Sequence, residues 1–323
     1  MRKKALIVGL NNYPEMALNW CNNDAIAMKE LIETNGDGSP NFDVKMIIGS
    51  CPKKKLHSEI KELFKDDVDI ALLYFSGHGT DAEGGYLCTT DYFDDEFGVR
   101  MTDVIELANQ SCCKNKVIIL DCCNSAKIGE LSLAENCSVI GEGVTIMAAS
   151  QKWQTSAEDG EIQHGVFTDL LLQGLKGGAA DIGGNITPAS LYSFVDQSLG
   201  AWEQRPVFKT NICQFLPLRI IEAKVPKAIL RKLRVYFENS TDYYKLDPSY
   251  EYTNTFEIEH KVLEPYAVSE NVKIFKELQL FESVGLVEPV DAEHMYFAAM
   301  ESKSCKLTPL GLHYWRLSKD KRF

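Results

Sequence analysis

The sequence lacks any run of apolar residues long enough to cross a membrane, which takes about eighteen in succession. Its first apolar stretch, Ala5 to Val8, is followed within a few residues by Asn11, Asn12 and Pro14. A run this short does not match the apolar segment of a secretory signal peptide, so we interpret it as a first strand. The sequence therefore predicts a cytoplasmic protein that does not contact membranes.

The sequence also has fewer positively charged than negatively charged residues. The 323 residues include 34 Lys and Arg against 46 Asp and Glu, which gives a formal net charge of −12. This balance argues against non-specific binding of nucleic acid through a basic surface.

Cysteines are present, but not in the CxxC spacing of a zinc site. Two adjacent pairs, Cys112-Cys113 and Cys122-Cys123, account for four of the 10. Without a secretory signal, we expect free thiols in a reducing compartment rather than a disulfide framework.

The sequence does contain a regular alternation of strand and helix patterns. Predicted strands begin at Ala5, Val44, Ile70, Val117, Val144 and Val207, and predicted helices cover Asn22–Glu33, Leu56–Phe64, Thr102–Gln110 (capped by Thr102), Gly165–Leu175 and Pro188–Leu199. The residues from Gly84 to Asp95 indicate a hairpin or an irregular excursion. This alternation is typical of an α/β fold with a mostly parallel sheet flanked by helices. We predict one domain over residues 1–218 and a smaller α+β domain over residues 219–323.

Two of the strands end in reactive side chains. Val117–Leu120 leads into Asp121, Cys122 and Cys123, and Ile70–Phe75 leads into Ser76, Gly77, His78 and Gly79. The carboxyl ends of parallel strands lie along one edge of an open sheet, so a thiol and an imidazole should meet there. Histidine is the usual base that converts a thiol to a thiolate at neutral pH.

Six short motifs lie in order along the span from Lys4 to about Phe215. They are Ala-Leu-Ile-Val-Gly-Leu-Asn-Asn-Tyr (5–13), Cys-Asn-Asn-Asp-Ala (21–25), Tyr-Phe-Ser-Gly-His-Gly (74–79), Leu-Asp-Cys-Cys-Asn-Ser (120–125), Ala-Ala-Ser-Gln (148–151) and His-Gly-Val-Phe-Thr (164–168). In this order they resemble the caspase-type cysteine peptidases, closest to the metacaspase-like and prokaryotic branch. The spacing of His78 and Cys123 also suits the roughly 50 residues expected between a caspase His and its Cys.

By this resemblance, Cys123 is the nucleophile and His78 is its base. The family pattern Asp-x-Cys-His-Ser has its reactive Cys second after Asp; Asn124 replaces the following His, which is not the base. Backbone N–H groups of Gly79 and Cys123 would form an oxyanion hole, and Cys122 would be a packing thiol. Without the pattern, a Cys at a strand end is more often a core thiol, and a Gly-flanked His is more often a turn residue.

Charge favours cleavage after basic residues. Cleavage after Asp requires cationic groups, generally Arg, whereas the first 218 residues contain few arginines and none beside the reactive motifs. By resemblance to metacaspases, Asp24, Ser76 and Asp121 line the pocket for the residue before the cut, which favours Arg or Lys. The alternative is that Asp24 caps a helix and Asp121 orients backbone amides. The histidines other than His78 are expected to be structural, with His164 at a helix start.

This chemistry requires no cofactor, and a metal site is the weaker interpretation of one acidic cluster. The cluster consists of Asp91, Asp94, Asp95 and Glu96. Calcium takes about six to eight oxygen ligands, and only Asp103 stands where calcium-binding metacaspases have a further pair of aspartates. We expect a solvated acidic loop, with calcium binding as the alternative.

The region 219–323 has nearly balanced charge and a different pattern. A helix through Ile274, Leu278 and Phe281, a strand at Met295–Met300 within a hairpin, and a helix after Thr308-Pro309 together resemble a winged-helix module. Tyr243, Tyr244, Tyr250 and Tyr252 can stack on a planar ligand such as a nucleobase, or they can be ordinary core residues.

Control by this C-terminal region is expected, because the segment after Ser125 is short and Lys127 is its one basic residue. We therefore predict a cytosolic cysteine endopeptidase that cleaves protein substrates after Arg or Lys. The resemblance to prokaryotic caspase-like proteins implies a role as an effector of stress or antiviral defence. A small nucleotide-like activator or a partner protein would switch it on. The alternatives are a catalytically silent caspase-like scaffold or adaptor, and a DNA-binding regulator, which the acidic charge opposes.

Overall fold

The computed structural model describes residues 1–80, 82–93, 96–122, 130–131, 134–149, 164–199, 205–212, 214–257 and 262–323. These residues form two compact units, Met1–Glu222 and Ala223–Phe323. Within the described ranges, no helix is both long enough and apolar enough to cross a membrane.

The first unit alternates strands and helices along the chain. Its strands are β1 (Lys3–Gly9), β2 (Asp43–Ile48), β3 (Ile70–Ser76), β4 (Gly79–Thr80), β5 (Tyr86–Phe93), β6 (Glu96–Arg100), β7 (Asn115–Asp121), β8 (Glu130–Leu131), β9 (Ala134–Ser138), β10 (Val144–Ala148), β11 (Asn185–Ile186), β12 (Val207–Thr210) and β13 (Arg219–Ile220). Its helices are α1 (Cys21–Ile32), α2 (Lys53–Lys65), α3 (Met101–Gln110), α4 (Val166–Gln173) and α5 (Pro188–Ser198).

The main sheet has six strands in the order β12-β10-β7-β3-β1-β2. All of the pairings from β2 to β10 are parallel, and only β12 runs antiparallel to its neighbour β10. The mostly parallel α/β fold predicted from the sequence is therefore confirmed. The predicted excursion after Gly84 contains the antiparallel pair β5 and β6.

Both faces of the four inner strands are buried, which explains why β1, β3, β7 and β10 contain nearly unbroken apolar runs. On β3, Leu73 and Phe75 pack in one hydrophobic cluster with α2 and α3, while Leu72 and Tyr74 pack in a second cluster with α1, α4 and α5. Successive side chains of a strand point to opposite faces, so a strand covered on both sides has no polar alternation.

The helix starts agree with the sequence only in part. At α5, Thr187 accepts a hydrogen bond from the Ser190 N–H and Pro188 occupies the first turn, as expected of a capped start. The predicted cap at Thr102 is wrong, because α3 begins at Met101 and the N-cap residue Arg100 makes no side-chain cap. Met101 is fully buried, and this packing extends the helix past the predicted cap.

The second unit is a small assembly of helices and one sheet. Its helices are α6 (Lys227–Leu230), α7 (Leu233–Tyr236), α8 (Ser269–Ser283), α9 (Met295–Met300) and α10 (Pro309–Lys319), and its strands are β14 (Tyr243–Lys245), β15 (Val287–Val290) and β16 (Ser304–Leu307). The strands form an antiparallel sheet in the order β14-β16-β15. The winged-helix resemblance stays a prediction.

The predicted strand over Met295–Met300 is wrong, since these residues form helix α9. Met295, Ala298 and Ala299 are buried at the three- and four-residue spacing of a helix, whereas Tyr296 and Phe297 are exposed. The apolar composition of this segment concealed its period. The expected hairpin accordingly has α9 inserted between its two strands.

Candidate active site

The carboxyl ends of three neighbouring strands bring the predicted site residues to one edge of the sheet. Gly9, Ser76 and Asp121 lie side by side in register on β1, β3 and β7. Beyond the strand ends, the Gly77 N–H donates to the Asp121 carbonyl at 3.3 Å and the Leu10 N–H donates to the Ser76 carbonyl at 3.0 Å. Backbone hydrogen bonds therefore join these three strands just beyond their ends, at one edge of the sheet.

His78 lies directly beyond β3, with its ring held from two sides. Its Nε2 lies 2.7 Å from the Met16 carbonyl oxygen, and its ring packs edge-on against Tyr13 with centroids 4.5 Å apart. A carbonyl oxygen only accepts, so Nε2 carries the proton in this contact. In neutral His78, the proton-accepting lone pair is therefore on Nδ1.

Tyr13 ties the His78 backbone to the neighbouring hairpin. Its hydroxyl accepts from the His78 N–H at 3.0 Å and donates to the Cys88 carbonyl at 3.2 Å. Tyr13 is buried, and this burial raises the pKa of its hydroxyl well above the usual range. A Cβ at Gly77 would lie 2.6 Å from this hydroxyl, so the turn before His78 requires glycine.

The asparagines of the first two motifs hold the loop that carries Tyr13 and Met16. Asn11 accepts the Asn22 N–H at 3.0 Å near the start of α1, and Asn22 accepts the Gly49 N–H at 2.9 Å after β2. These bonds join three loops of the same sheet edge. Their role is to position the partners of His78.

Cys123, the predicted nucleophile, lies outside the described residues, so Cys122 is the last described residue before it. Cys122 is 1% exposed and packs in the cluster under α2 and α3. Among the other thiols, Cys21 at the start of α1 has its pKa raised to about 12 by burial. A thiol with that pKa stays protonated at neutral pH and does not act as a nucleophile.

The three predicted pocket residues lie close together, and all are buried. Ser76 donates to Asp24 at 2.9 Å, and a Cβ at Gly165 would meet Asp121 at 2.8 Å and Asp24 at 3.7 Å. Burial and the charge of Asp24 raise the pKa of Asp121 to about 7. We define Asp24 and Asp121 as the acid pair.

The first residues of α4 supply donors to both members of the acid pair. The His164 Nδ1 lies 2.9 Å from Asp24 Oδ1, the Gly165 N–H donates to the same oxygen at 3.3 Å, and the Thr168 hydroxyl donates to Asp121 Oδ2 at 2.6 Å. Asp24 thus contacts the amide at the start of α4, rather than capping α1, on which it lies. Sequence reasoning gave His164 only a structural role and Thr168 none, although their motif was recognised.

A cavity of about 270 Å³ opens beside His78. It is lined by Tyr13, Met16, His78, Gly79, Thr80, Cys88 and Phe97. Gly79, the predicted oxyanion residue, begins β4 and pairs with Leu87 on β5. His78 and Gly79 therefore line one concave space.

Comparison with known proteins identifies the family. Residues 2–216 match the model of the caspase domain, peptidase family C14, over two thirds of the chain. The chain belongs to the caspase family. This membership supports a cysteine peptidase, which is a hydrolase.

Other comparisons add less about this caspase domain. No curated protein matches the chain. Among solved structures, protein GSU0716 from Geobacter sulfurreducens is similar, with 18% sequence identity and a TM-score of 0.46 over 69% of this chain and 100% of that one.

The acidic cluster of the caspase domain is only partly described. Asp91 accepts the Lys53 N–H through both carboxylate oxygens, at 2.9 and 3.2 Å, and so caps α2. Asp94 and Asp95 lie outside the described residues, as does the side chain of Glu96. In the described part of the chain, no three acidic, His or Cys side chains are grouped as metal ligands. Calcium binding remains an untested alternative.

The four tyrosines of the second unit differ in their surroundings. The hydroxyls of Tyr244 and Tyr250 are hydrogen-bonded at 3.2 Å, and the two rings pack edge-on. Each ring also contacts a buried Phe. Tyr243 and Tyr252 are 58% and 59% exposed. Tyr244 and Tyr250 thus belong to an aromatic core, while Tyr243 and Tyr252 have surface area for a ligand.

Proposed function

We propose that this caspase-family protein is a cysteine endopeptidase with Cys123 as nucleophile and His78 as general base. The observation that carries the proposal is the orientation of His78, whose Nε2 is engaged by the Met16 carbonyl so that Nδ1 is the proton acceptor. This nitrogen belongs to a residue that follows β3, beside the β7 end that leads into Cys123. His78 and the end of β7 that leads into Cys123 therefore lie at one sheet edge.

The proposed reaction needs only this chain and water. His78 Nδ1 takes the Cys123 thiol proton, and the thiolate attacks the substrate carbonyl carbon. The resulting oxyanion accepts hydrogen bonds from the Gly79 and Cys123 N–H groups. His78 then gives its proton to the leaving amine, and water, deprotonated by His78, hydrolyses the thioester. Met16 stabilises the imidazolium by accepting from Nε2–H.

We propose further that the residue before the cut is Arg or Lys. The acid pair puts two buried carboxylates at the edge that carries His78, and a buried charge calls for a partner of opposite sign. The arginines that cleavage after Asp would need are engaged elsewhere. Arg205 pairs with Asp196, and Arg219 donates to the carbonyls of Thr34 and Leu175.

A panel of fluorogenic peptides that differ only in the residue before the cut tests this function. The intact protein should cleave the Arg and Lys peptides and leave the Asp peptide uncut. Cleavage after Asp would contradict the specificity but preserve the peptidase. No cleavage of any peptide, with or without calcium and nucleotides, would favour the silent scaffold.

Control is proposed to lie in the second unit, with exposed Tyr243 and Tyr252 as contacts for a nucleotide-like ligand or a partner protein. An effector of stress or antiviral defence that cuts after common residues needs such a restraint. Moving a population from 1:99 to 99:1 takes a ligand that prefers the active state by roughly 10⁴-fold. Tyr243→Ala with Tyr252→Ala should abolish activation by the ligand and leave basal activity unchanged. If the intact protein is already fully active and the double variant behaves identically, the switch is not there.

A further inference from the structure

His164 has no role in the proposed catalytic mechanism. It stands at the start of α4, next to the acid pair, and its Nδ1 lies 2.9 Å from Asp24 Oδ1. An ionised carboxylate only accepts, so His164 donates in this contact. The side chain of His164 is 26% exposed, whereas that of Asp24 is 3% exposed. His164 therefore links solvent to a buried acid.

Among the described residues, Asp24 has three donors, and one of these can carry charge. Ser76 donates to Oδ2 at 2.9 Å, and the Gly165 N–H donates to Oδ1 at 3.3 Å. Both are neutral groups. Of these three described donors, His164 is the one that can supply the positive charge that a buried carboxylate favours, and it uses the same oxygen as Gly165.

The surroundings of His164 favour its charged form. The hydrogen bond to Asp24 raises the pKa of His164, and the charges of Asp24 and Asp169 act in the same direction. Partial burial and Lys176 oppose them. Asp121, across the acid pair, has its own pKa raised to about 7 by burial and by the charge of Asp24.

We propose that His164 is a specificity-determining residue, a resident cation that occupies Asp24 and competes there with the basic side chain of the substrate. This inference rests on the proposed preference for Arg and Lys. A guanidinium or ammonium group that enters the acid pair needs the carboxylate oxygen that His164 occupies. Its arrival displaces the imidazolium or drives off its proton. Release of that proton makes binding of a basic side chain stronger as the pH rises.

Agmatine, a guanidinium compound without a scissile bond, is the probe that tests the competition. Its dissociation constant is measured by calorimetry on the full-length chain at about pH 6 and about pH 8.5, on either side of an ordinary His titration. His164→Gln removes the charge but keeps an amide donor. His57→Gln, on α2, is the matched control.

We expect His164→Gln to bind agmatine about tenfold more tightly than the native protein at the lower pH, and equally at the higher pH. It should also release fewer protons on binding. His57→Gln should match the native protein at both values.

Two results would overturn the proposal, and they differ. If His164→Gln binds agmatine as the native protein does, or more weakly by the same factor at both pH values, His164 only positions Asp24. If no form binds agmatine and the peptide panel shows no cleavage after basic residues, the proposed function fails first. If His164→Gln does not fold, NMR titration of His164 in the native protein provides the test. Competition requires that agmatine lower the pKa of His164. An unchanged pKa would refute the proposal.

Discussion

Two groups at the same sheet edge are held in opposite ways. His78 is partly exposed and is held by neutral partners, the Met16 carbonyl and the Tyr13 ring and hydroxyl. The acid pair is buried and is held by charge and by the first turn of α4. A general base must gain and lose a proton in each cycle, and neutral partners allow this. A specificity pocket for a cationic side chain needs negative charge at a buried position, where water screens it little.

The largest expected loss of activity comes from replacing the proposed nucleophile or the proposed base. Cys123→Ala and His78→Ala should each remove all measurable cleavage of an Arg peptide, because Cys123 is the proposed nucleophile and His78 takes its proton and protonates the leaving amine. Cys122→Ala should keep most of the activity, since Cys122 packs in the core. Circular dichroism checks that each variant is folded. Loss of activity in Cys122→Ala alone, with Cys123→Ala active, would reverse the assignment.

Asp121→Asn tests the acid side of the comparison. Neutralising a desolvated partner of a cationic side chain costs about 3–5 kcal/mol, so kcat/KM for Arg peptides should fall on the order of 10²–10⁴-fold. Cleavage of a peptide with an uncharged residue before the cut should change little. An equal loss on both peptides would instead indicate damage to the dyad.

The same variant should gain stability, with a definite pH dependence. The folded pKa of Asp121, about 7, lies above the ordinary value of 3.8, so the folded state binds a proton that the unfolded state releases. This contribution is fully present below pH 3.8 and is lost as the pH rises toward 7. Asn cannot ionise. Thermal unfolding of Asp121→Asn should therefore occur at higher temperature than that of the native protein near pH 8, with a smaller difference at acidic pH.

A smaller effect should come from Thr168, the donor to Asp121. Thr168→Val removes a hydrogen bond that favours the ionised carboxylate, so the pKa of Asp121 should rise further. At neutral pH the KM for Arg peptides should increase about tenfold, in line with a hydrogen bond to a charged group, while kcat changes little. Thr168→Ser keeps the hydroxyl and serves as the control. If kcat falls instead of KM rising, Thr168 acts on the His78 side.

The two sides of the site also differ in how well sequence predicts them. Buried strand runs and motif order placed His78, Asp24, Ser76 and Asp121 at one edge of a parallel sheet. In the structure Asp24, Ser76 and Asp121 lie close together at that edge, whereas the cavity beside His78 is lined by other residues. The partner of Nε2 could not be read from the chain, because Met16 acts through its backbone carbonyl. His164 and Asp24 are 140 residues apart, so their pairing follows from tertiary packing and not from local pattern.

The least effect is expected from the turn that presents His78, and it tests whether neutral packing holds the base. A Cβ at Gly77 would lie 2.6 Å from the Tyr13 hydroxyl and 3.0 Å from the Phe75 ring. Gly77→Ala should cost about 1–3 kcal/mol of unfolding free energy through overpacking, and Tyr13→Phe about 1 kcal/mol through a lost hydrogen bond.

The double variant shows which neighbour of Gly77, the Tyr13 hydroxyl or the Phe75 ring, excludes a side chain at that position. Tyr13→Phe removes the oxygen that the new methyl group would meet, so the double variant should be less destabilised than the sum of the two single ones, by about 0.5 kcal/mol or more. Denaturant unfolding of all four proteins gives this coupling. Strict additivity would mean that the Phe75 ring, and not the Tyr13 hydroxyl, requires glycine at position 77. In that case the nearby Tyr13 hydroxyl would not be the reason why residue 77 is glycine.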